Sequence, residues 1–559
     1  MTGSSDTKGS FWSHMIRLLR RAPSAALQGP APDSLPPGSI DRDLAALVEA
    51  LPDPPPADGR TRVAIASFGA GPDHLVIDCL LAHALRQRGA ETELLVCDMP
   101  ELPGCDERLL ERPDNRRCIG CLASKQHVLD AAGVIWRRVS GFLGDPARAL
   151  AEAEGWVSSL PDAGLVEAEY DGWPVGRWLG SSVASFLRAD SHGDSPEVVE
   201  ARRRYLATGR IALDAARGWF DAFRPTHLLV ISGRHIMWRA AFELARRRGI
   251  KVVSREMFGE EFDIHIYSVN GSAEDPSLPR AWAELRSRDL TPAEDEDVDR
   301  YLGGLPAYAR QTESAPALET NPEAIRARVG LTPGRPLLVL FANVAWDLFV
   351  AERDHAFDGQ MHWIRTTVEF AAAHPAIDLV IRAHPAEIVP KFRTRGRIVE
   401  QVRGAFPELP GNVHLVGPES DISSDALRAM AGLNLVYCAS VGLEAVIARQ
   451  PLILAGVPYY GRKGFTLDAE SVSHYLDLLD SWVAGRFPEP DPQARDLARK
   501  YLYLIRFRYG IRMGLTEGAD GSRRLLVRDP RALLPGGHER LDAVCEGILR
   551  GDEILFPVE

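Results

Sequence analysis

The segment "LNLVYCASVGLEAVIARQPLILAG" (residues 433–456) changes character three times. An apolar run from Leu433 to Cys438 ends in a turn through Ala439, Ser440 and Gly442; a helix-forming stretch with Glu444 in its first turn follows, then a second apolar run from Leu452. Two short apolar strands joined through a helix form a βαβ crossover, which makes the strands parallel and buries both faces of their sheet. The turn at Ser440 then stands at a strand's carboxyl end, where open α/β sheets bind ligands. Unpaired amides and the positive dipole end of a helix start suit a phosphate. Ser440 adds a hydroxyl, Gly442 permits close approach, and Glu444 offers two acceptors to a ribose. The same residues also read as an ordinary cap and a first-turn charge.

The pattern extends in both directions. "PLLVLFAN" (336–343), "IDLVIRAHP" (377–385) and "NVHLVG" (412–417) read as further strands of this domain, with helices between them. Each strand end delivers polar groups. "RAHPAE" brings Arg382, His384 and Glu387, and Pro385 holds His384 extended. "FANVAWD" brings Asn343 and Asp347, and "YYGRKGFT" (459–466) brings Lys463 to the loop after the last strand. Upstream, "RVAIASF" (62–68), "ETELLVCD" (91–98), "THLLVIS" (226–232) and "IKVVSREMF" (250–258) alternate with helical stretches, so a second doubly wound sheet is expected there, with a mainly helical insertion near 140–220. The expected fold is α/β, two Rossmann-like doubly wound domains with a cleft between them. The expected divisions are 1–60, a basic amphipathic segment and Pro-rich linker with a short helix near 42–51; 61–330, the first domain; 331–535, the second; and 536–559, a closing helix.

The 559 residues carry a net charge of −12, which argues against general nucleic-acid binding. No apolar run approaches the ~20 residues that span a bilayer, and the start of the chain lacks the features of a secretory signal, so a cytoplasmic location is expected. "FWSHMIRLLRR" (11–21) pairs an apolar helical face with a basic one, as in helices that lie on anionic membranes, and is expected to allow peripheral contact with the inner membrane face. A short helix docked on a neighbour, or a disordered tail, is the reading favoured over membrane contact.

In the first domain, "SFGAGPDHLVID" sets Gly69, Gly71, Asp73 and His74 after the first strand, and "ISGRH" and "SREMF" present Arg234, His235 and Glu256 at two more strand ends. Carboxylates and imidazoles in a cleft are general-base candidates; Asp73, Glu256 and His74 are the three expected here, with Arg234, His235, Asp347 and Lys463 lining the cleft. Cys97, Cys105, Cys118 and Cys121 match a structural zinc site in ligand type, although the first spacing is long. A redox pair and unlinked thiols are the alternatives.

Together "NVAWD", "LVIRAHPAE", "ASVGLEAVIARQPLILAG" and "YYGRKGFT" resemble the nucleotide-binding half of bacterial capsule polysaccharide biosynthesis glycosyltransferases of the GT-B type, Kdo transferases among them. The resemblance covers about 335–475. Bacterial sialyltransferases are similar in pairing a His-Pro motif with a serine-containing loop around CMP. The resemblance implies that His384 and Ser440 contact the nucleotide, with Glu444 nearby; this chain has the single Ser440 where the sialyltransferase pattern has paired Ser/Thr. It implies a nucleotide-sugar donor, a CMP-sugar such as Kdo or a nonulosonic acid, and a glycan, lipid-linked or protein acceptor. No D-x-D cluster stands at a strand end, so no catalytic metal or other cofactor is expected. The rival readings are an epimerase or hydrolase of nucleotide sugars and a non-catalytic scaffold of polysaccharide assembly.

Overall fold

The computed structural model describes residues 40–556 apart from 69–71, 106–107, 109, 111–115, 259–262, 277, 305–317, 348–349, 351, 390–392 and 519–522. The basic segment 11–21, Gly69 and Gly71 lie outside the described residues.

The first sheet contains β1 (Arg62–Ser67), β2 (Glu91–Val96), β3 (Trp136–Arg138), β4 (His227–Ile231), β5 (Lys251–Phe258) and β6 (Ile264–Val269). The second contains β7 (Leu337–Phe341), β8 (Asp378–Arg382), β9 (Val413–Val416), β10 (Leu433–Val436) and β11 (Leu452–Leu454). A late two-residue strand, β12 (Ile511–Arg512), returns to the first sheet, whose order is β12-β6-β5-β4-β1-β2-β3. β3 through β5 run parallel; β6 is antiparallel to β5, and β12 to β6. The second sheet, β11-β10-β7-β8-β9, is parallel throughout. Every residue of β4, β7, β8, β10 and β11 is buried, as expected for strands covered by helices on both faces. The two doubly wound α/β domains expected from the sequence are present.

Strand order fixes where ligands can enter. In the first sheet the winding reverses between β1 and β4, in the second between β7 and β10, and the crevice at such a reversal opens beyond the strands' carboxyl ends. The first reversal is reached through the helical insertion, dominated by the helix Pro196–Phe223. Ser195 caps its start, accepting from the Val198 amide at 3.4 Å, and Arg224 (φ 51°) ends it immediately before Pro225. Tyr205 and Trp219 on this helix are fully buried against the sheet.

The expected domain limits need three corrections. The helix Ile40–Glu49 is part of the first domain rather than a linker, because Leu44 and Leu47 enter its core. The helices Pro279–Arg286 and Pro292–Gly304 pack on the second domain, where Trp282, Leu285 and Val298 join Leu337, Val339 and Tyr501. The second domain ends near 503, not 535. Ile511, Met513, Leu515, Leu525 and Val527 belong to the first core, as does the helix Glu539–Arg550. The chain therefore passes between domains twice, after β6 and again through the π-helical turn Leu504–Tyr509. The Tyr509 hydroxyl donates to the Ala273 carbonyl at 2.7 Å, tying one passage to the other.

Candidate functional site

The carboxyl edges of the two sheets face each other. Glu352, in the loop after β7, lies 3.9 Å from Arg234 and 3.2 Å from Arg239, both just beyond β4. Arg353 pairs with Asp275 at 3.0 Å and donates to the Glu274 carbonyl at 2.9 Å. Arg234 lies 3.7 Å from the Glu274 carboxylate and donates to Ser272 at 2.9 Å. It is thus a crosslink of the cleft wall. Lys463 sits over the Tyr501 ring at 5.8 Å, with burial lowering its pKa. Asp347 acts on the Cys438 thiol at the end of β10, so it too belongs to this charged group. Ser232 (φ 54°) and Gly233 (φ 81°) turn left-handed in succession after β4 and aim Arg234 and His235 at the cleft. A Cβ at Gly233 would lie 2.9 Å from the Phe242 ring.

On the first-domain side the three base candidates separate. Asp73 accepts from Arg523 at 3.0 Å, and Arg523, itself buried, also holds Thr516 at 2.6 Å. That carboxylate ties the antiparallel pair Thr516–Glu517 and Arg524–Leu525 to the helix Pro72–Arg86. His74 is kept neutral, its pKa well below the usual imidazole range, by burial and then by the Arg255 and Arg523 charges. Glu256 lies 3.7 Å from His74 and is pushed up to about 7, first by burial and then by the Glu274 charge. His235 adds a ring near Glu256 and packs edge-on against Trp238 at 6.1 Å. Beneath them Arg255 and Asp78 form a fully buried ion pair at 2.6 Å, and Arg255 also donates to the His74 carbonyl at 2.8 Å. This pair fixes the His74 helix to β5.

On the second-domain side the motif residues divide into frame and face. Asn343 is frame: its side-chain oxygen accepts from the Cys438 amide at 3.1 Å, stapling β7 to β10 across the reversal, while Gln360 bonds its amide and carbonyl. Arg382 is frame as well. It donates to the Gly417 carbonyl, to Ser424 at 3.3 Å and to the Ser420 carbonyl at 3.4 Å, and burial lowers its pKa to about 10. Glu387 is fully buried under the start of the helix Ile398–Ala405, accepting from the Ile398 amide at 3.2 Å, and burial pushes it up to about 7. The expected direct contacts of Asn343, Arg382 and Glu387 with a nucleotide are therefore corrected, because each side chain is used within the protein. Gly442 is corrected for a different reason. A Cβ there would lie 2.2 Å from the Tyr460 hydroxyl, which donates to the Ala439 carbonyl at 2.6 Å. The glycine makes room for a tyrosine rather than a ligand.

His384, Ser440 and Glu444 form the face. His384 accepts from the Ala386 amide at 3.1 Å through Nδ1, and burial followed by Arg382 lowers its pKa to about 4. The ring is neutral with its proton on Nε2, a fixed donor. Ser440 is exposed and 3.5 Å from Glu444, whose pKa burial raises. Arg506, on the interdomain turn, acts on both Glu444 and Tyr459. Sequence reading missed Arg506 because it sits inside a continuous helix-like run.

Among the described residues no three His, Cys, Asp or Glu side chains converge as metal ligands. Two cations stand among the thiols instead. Arg108 donates to the Cys118 sulfur at 3.1 Å, and Lys125 hydrogen-bonds Cys121 beside Cys97 and Cys105.

No family description matches the sequence, and no curated protein matches it. Among solved structures, the chain is similar to a beta Kdo 2,4 transferase, KpsC, of Thermosulfurimonas dismutans, at 15% identity over 55% of this chain and 87% of that one, with a TM-score of 0.33. It is similar to UDP-GlcNAc 2-epimerase from Neisseria meningitidis at 11% identity over 80% and 100%, TM-score 0.24. A third similarity is to sucrose-phosphate synthase from Thermosynechococcus elongatus, 13% over 80% and 94%, TM-score 0.26. Likenesses this low carry no function across, so the site's chemistry rests on its own residues.

The reassignment of Gly442 is testable. Gly442→Ala is expected to destabilise the protein by about 1–3 kcal/mol through overpacking, measured by denaturant unfolding. Combining it with Tyr460→Phe should recover part of that loss, with a coupling of at least ~0.5 kcal/mol.

Proposed function

We propose that the chain is a glycosyltransferase of the GT-B type, holding a nucleotide-activated sugar on the second domain and an acceptor hydroxyl on the first. One observation carries the reading: a carboxyl group held near neutrality, Glu256, stands at one sheet's carboxyl edge, and a fixed neutral donor, His384, at the facing edge. Beside Glu256 runs a charged wall of Glu274, Arg234 and Arg353, joined to the end of β10 by the action of both arginines on Cys438.

The chemistry follows from these placements. Glu256 as carboxylate takes the proton of the acceptor hydroxyl as its oxygen bonds to the anomeric carbon. The bond from that carbon to the phosphate oxygen breaks, and the charge on the departing phosphate meets the His384 Nε2–H and the Ser440 hydroxyl. Donors prepared before the charge develops are worth more than donors that must reorient. Glu444 suits the ribose hydroxyls. The resemblance of the His-Pro and serine loops to those that hold CMP favours a CMP-sugar, with Kdo or a nonulosonic acid as the sugar and a surface glycan as the acceptor. No step in this scheme calls for a metal.

A ligand specific to the folded protein raises its melting temperature. CMP is expected to do so and UDP and GDP to do so less. His384→Ala should weaken CMP binding roughly ten- to a hundredfold, the worth of one hydrogen bond to a charged group. No shift with any nucleotide or nucleotide sugar contradicts the reading.

The pH dependence is fixed by Glu256. The base works as carboxylate, so kcat/KM should rise with pH to a plateau with its midpoint near the group's pKa of about 7. Glu256→Gln should remove that inflection and lower kcat by about 10²–10⁴. Stability runs the other way: a carboxyl pKa raised on folding contributes fully at pH below its unfolded value and is lost as pH rises through about 7.

A further inference from the structure

The thiol nest behind β1 has no part in sugar transfer, yet its arrangement is specific. Cys118 and Cys121 lie one turn apart on the helix Arg116–Ala132, with Lys125 one turn further along the same face. Arg108 and Lys125 are buried, at 6% and 2% exposure. Arg108 spends its donors on the Leu102 carbonyl at 2.8 Å, the Pro100 carbonyl at 2.7 Å and the Cys118 sulfur at 3.1 Å. Cys105 donates a second hydrogen bond to Cys118. Lys125 contacts Cys121 and, through Nζ, the Phe68 carbonyl at 2.6 Å. A buried guanidinium and a buried ammonium beside sulfur favour thiolate, the reactive form of cysteine. Consistent with this, the hydrogen bond from Cys105, then Arg108, lowers Cys118 to about 6, whereas burial pushes Cys97 up to about 11. All four cysteines are partly buried residues rather than fully buried ones.

We propose that Cys118 is a modification site for hydroperoxides, with Cys105 as its resolving partner, and that Lys125 relays the oxidation to the end of β1. The Cys118 thiolate attacks one peroxide oxygen: the S–O bond forms, the O–O bond breaks, and hydroxide leaves to become water. The Cys105 thiolate then attacks the sulfur of the sulfenic acid. An S–S bond forms, the S–O bond breaks and a second water leaves. Two thiols lose two electrons, and one peroxide becomes two waters. The thiolate charge among the cations disappears with the disulfide. Lys125 then redistributes its contacts, including the one to Phe68, the residue that leads from β1 toward the His74 helix.

The test uses the full chain, titrated with hydrogen peroxide and read by peptide mass spectrometry. One equivalent should give a Cys105–Cys118 linkage, a loss of two hydrogens' mass reversed by dithiothreitol, roughly tenfold faster than modification of any other cysteine. Cys105→Ser should stop at a sulfenic acid on Cys118 that dimedone traps, and Cys118→Ser should abolish both products. Amide exchange over residues 68–86 should change on oxidation of the parent protein and stay unchanged in the Cys118→Ser variant. Oxidation at other cysteines first, or one tightly held zinc per reduced chain that protects all four thiols, overturns the site. A disulfide that leaves exchange over 68–86 unaltered overturns the relay.

Discussion

The chain's double passage between the two sheets is the constraint on which the cleft depends. One passage leaves β6 and the other returns through Leu504–Tyr509 to pair Ile511 with His265. The hydrogen bond from Tyr509 to the Ala273 carbonyl holds the two together. Two crossings join the domains through one strap beside the opposed carboxyl edges. They also set the strap's own residues in the cleft: Glu274 and Asp275 follow Ala273 and reach Arg234 and Arg353, while Arg506 from the returning turn acts on Glu444.

A second set of contacts clasps the domains at the helical insertion. The Arg188 guanidinium stacks over Trp346 at 4.0 Å, worth about 0.5–1 kcal/mol at a partly exposed site. His192 bridges Asp190, at 2.5 Å, and Asp354 of the second domain, at 3.3 Å; these two carboxylates, Asp190 first, raise its pKa to about 10 and keep it charged. Asp354 also accepts from Tyr437, one residue past β10. The clasp is polar and half-exposed, whereas the ion pair beneath Glu256 and His74, Asp78–Arg255, is wholly buried. The Glu256 carboxyl is thus carried on a buried ion pair, whereas the clasp between the domains is partly exposed to water.

Much of the architecture was legible in the sequence because parallel strands covered on both faces are apolar through their middles: β7 and β11 are apolar throughout, and β4 and β8 carry polar residues only at their ends. Glu256 lies within β5, beyond the last residue that β4 pairs with, so its place near the sheet's carboxyl edge was legible in the strand pattern. The domain limits were not, since an amphipathic helix such as Pro279–Arg286 shows that it packs without showing on which sheet, and β12 has only two residues. Arg382, Glu387 and Gly442 looked like ligand contacts because they occupy motif positions at strand ends. Their actual partners, the Gly417 carbonyl, the Ile398 amide and the Tyr460 ring, are remote in sequence. The cysteine spacing resembled a zinc motif, whereas the cations beside the thiols, Arg108 and Lys125, stand at positions that no cysteine spacing marks.

The most direct measurement is a screen of nucleotide sugars with the purified protein, following free nucleotide and sugar together by mass spectrometry. The two opposed edges predict release of CMP from a CMP-sugar that depends on an added glycan acceptor, with equal amounts of nucleotide and glycosylated acceptor formed. Conversion of a donor that needs no acceptor, or no turnover and no binding of any donor, would contradict the assignment of the cleft to glycosyl transfer.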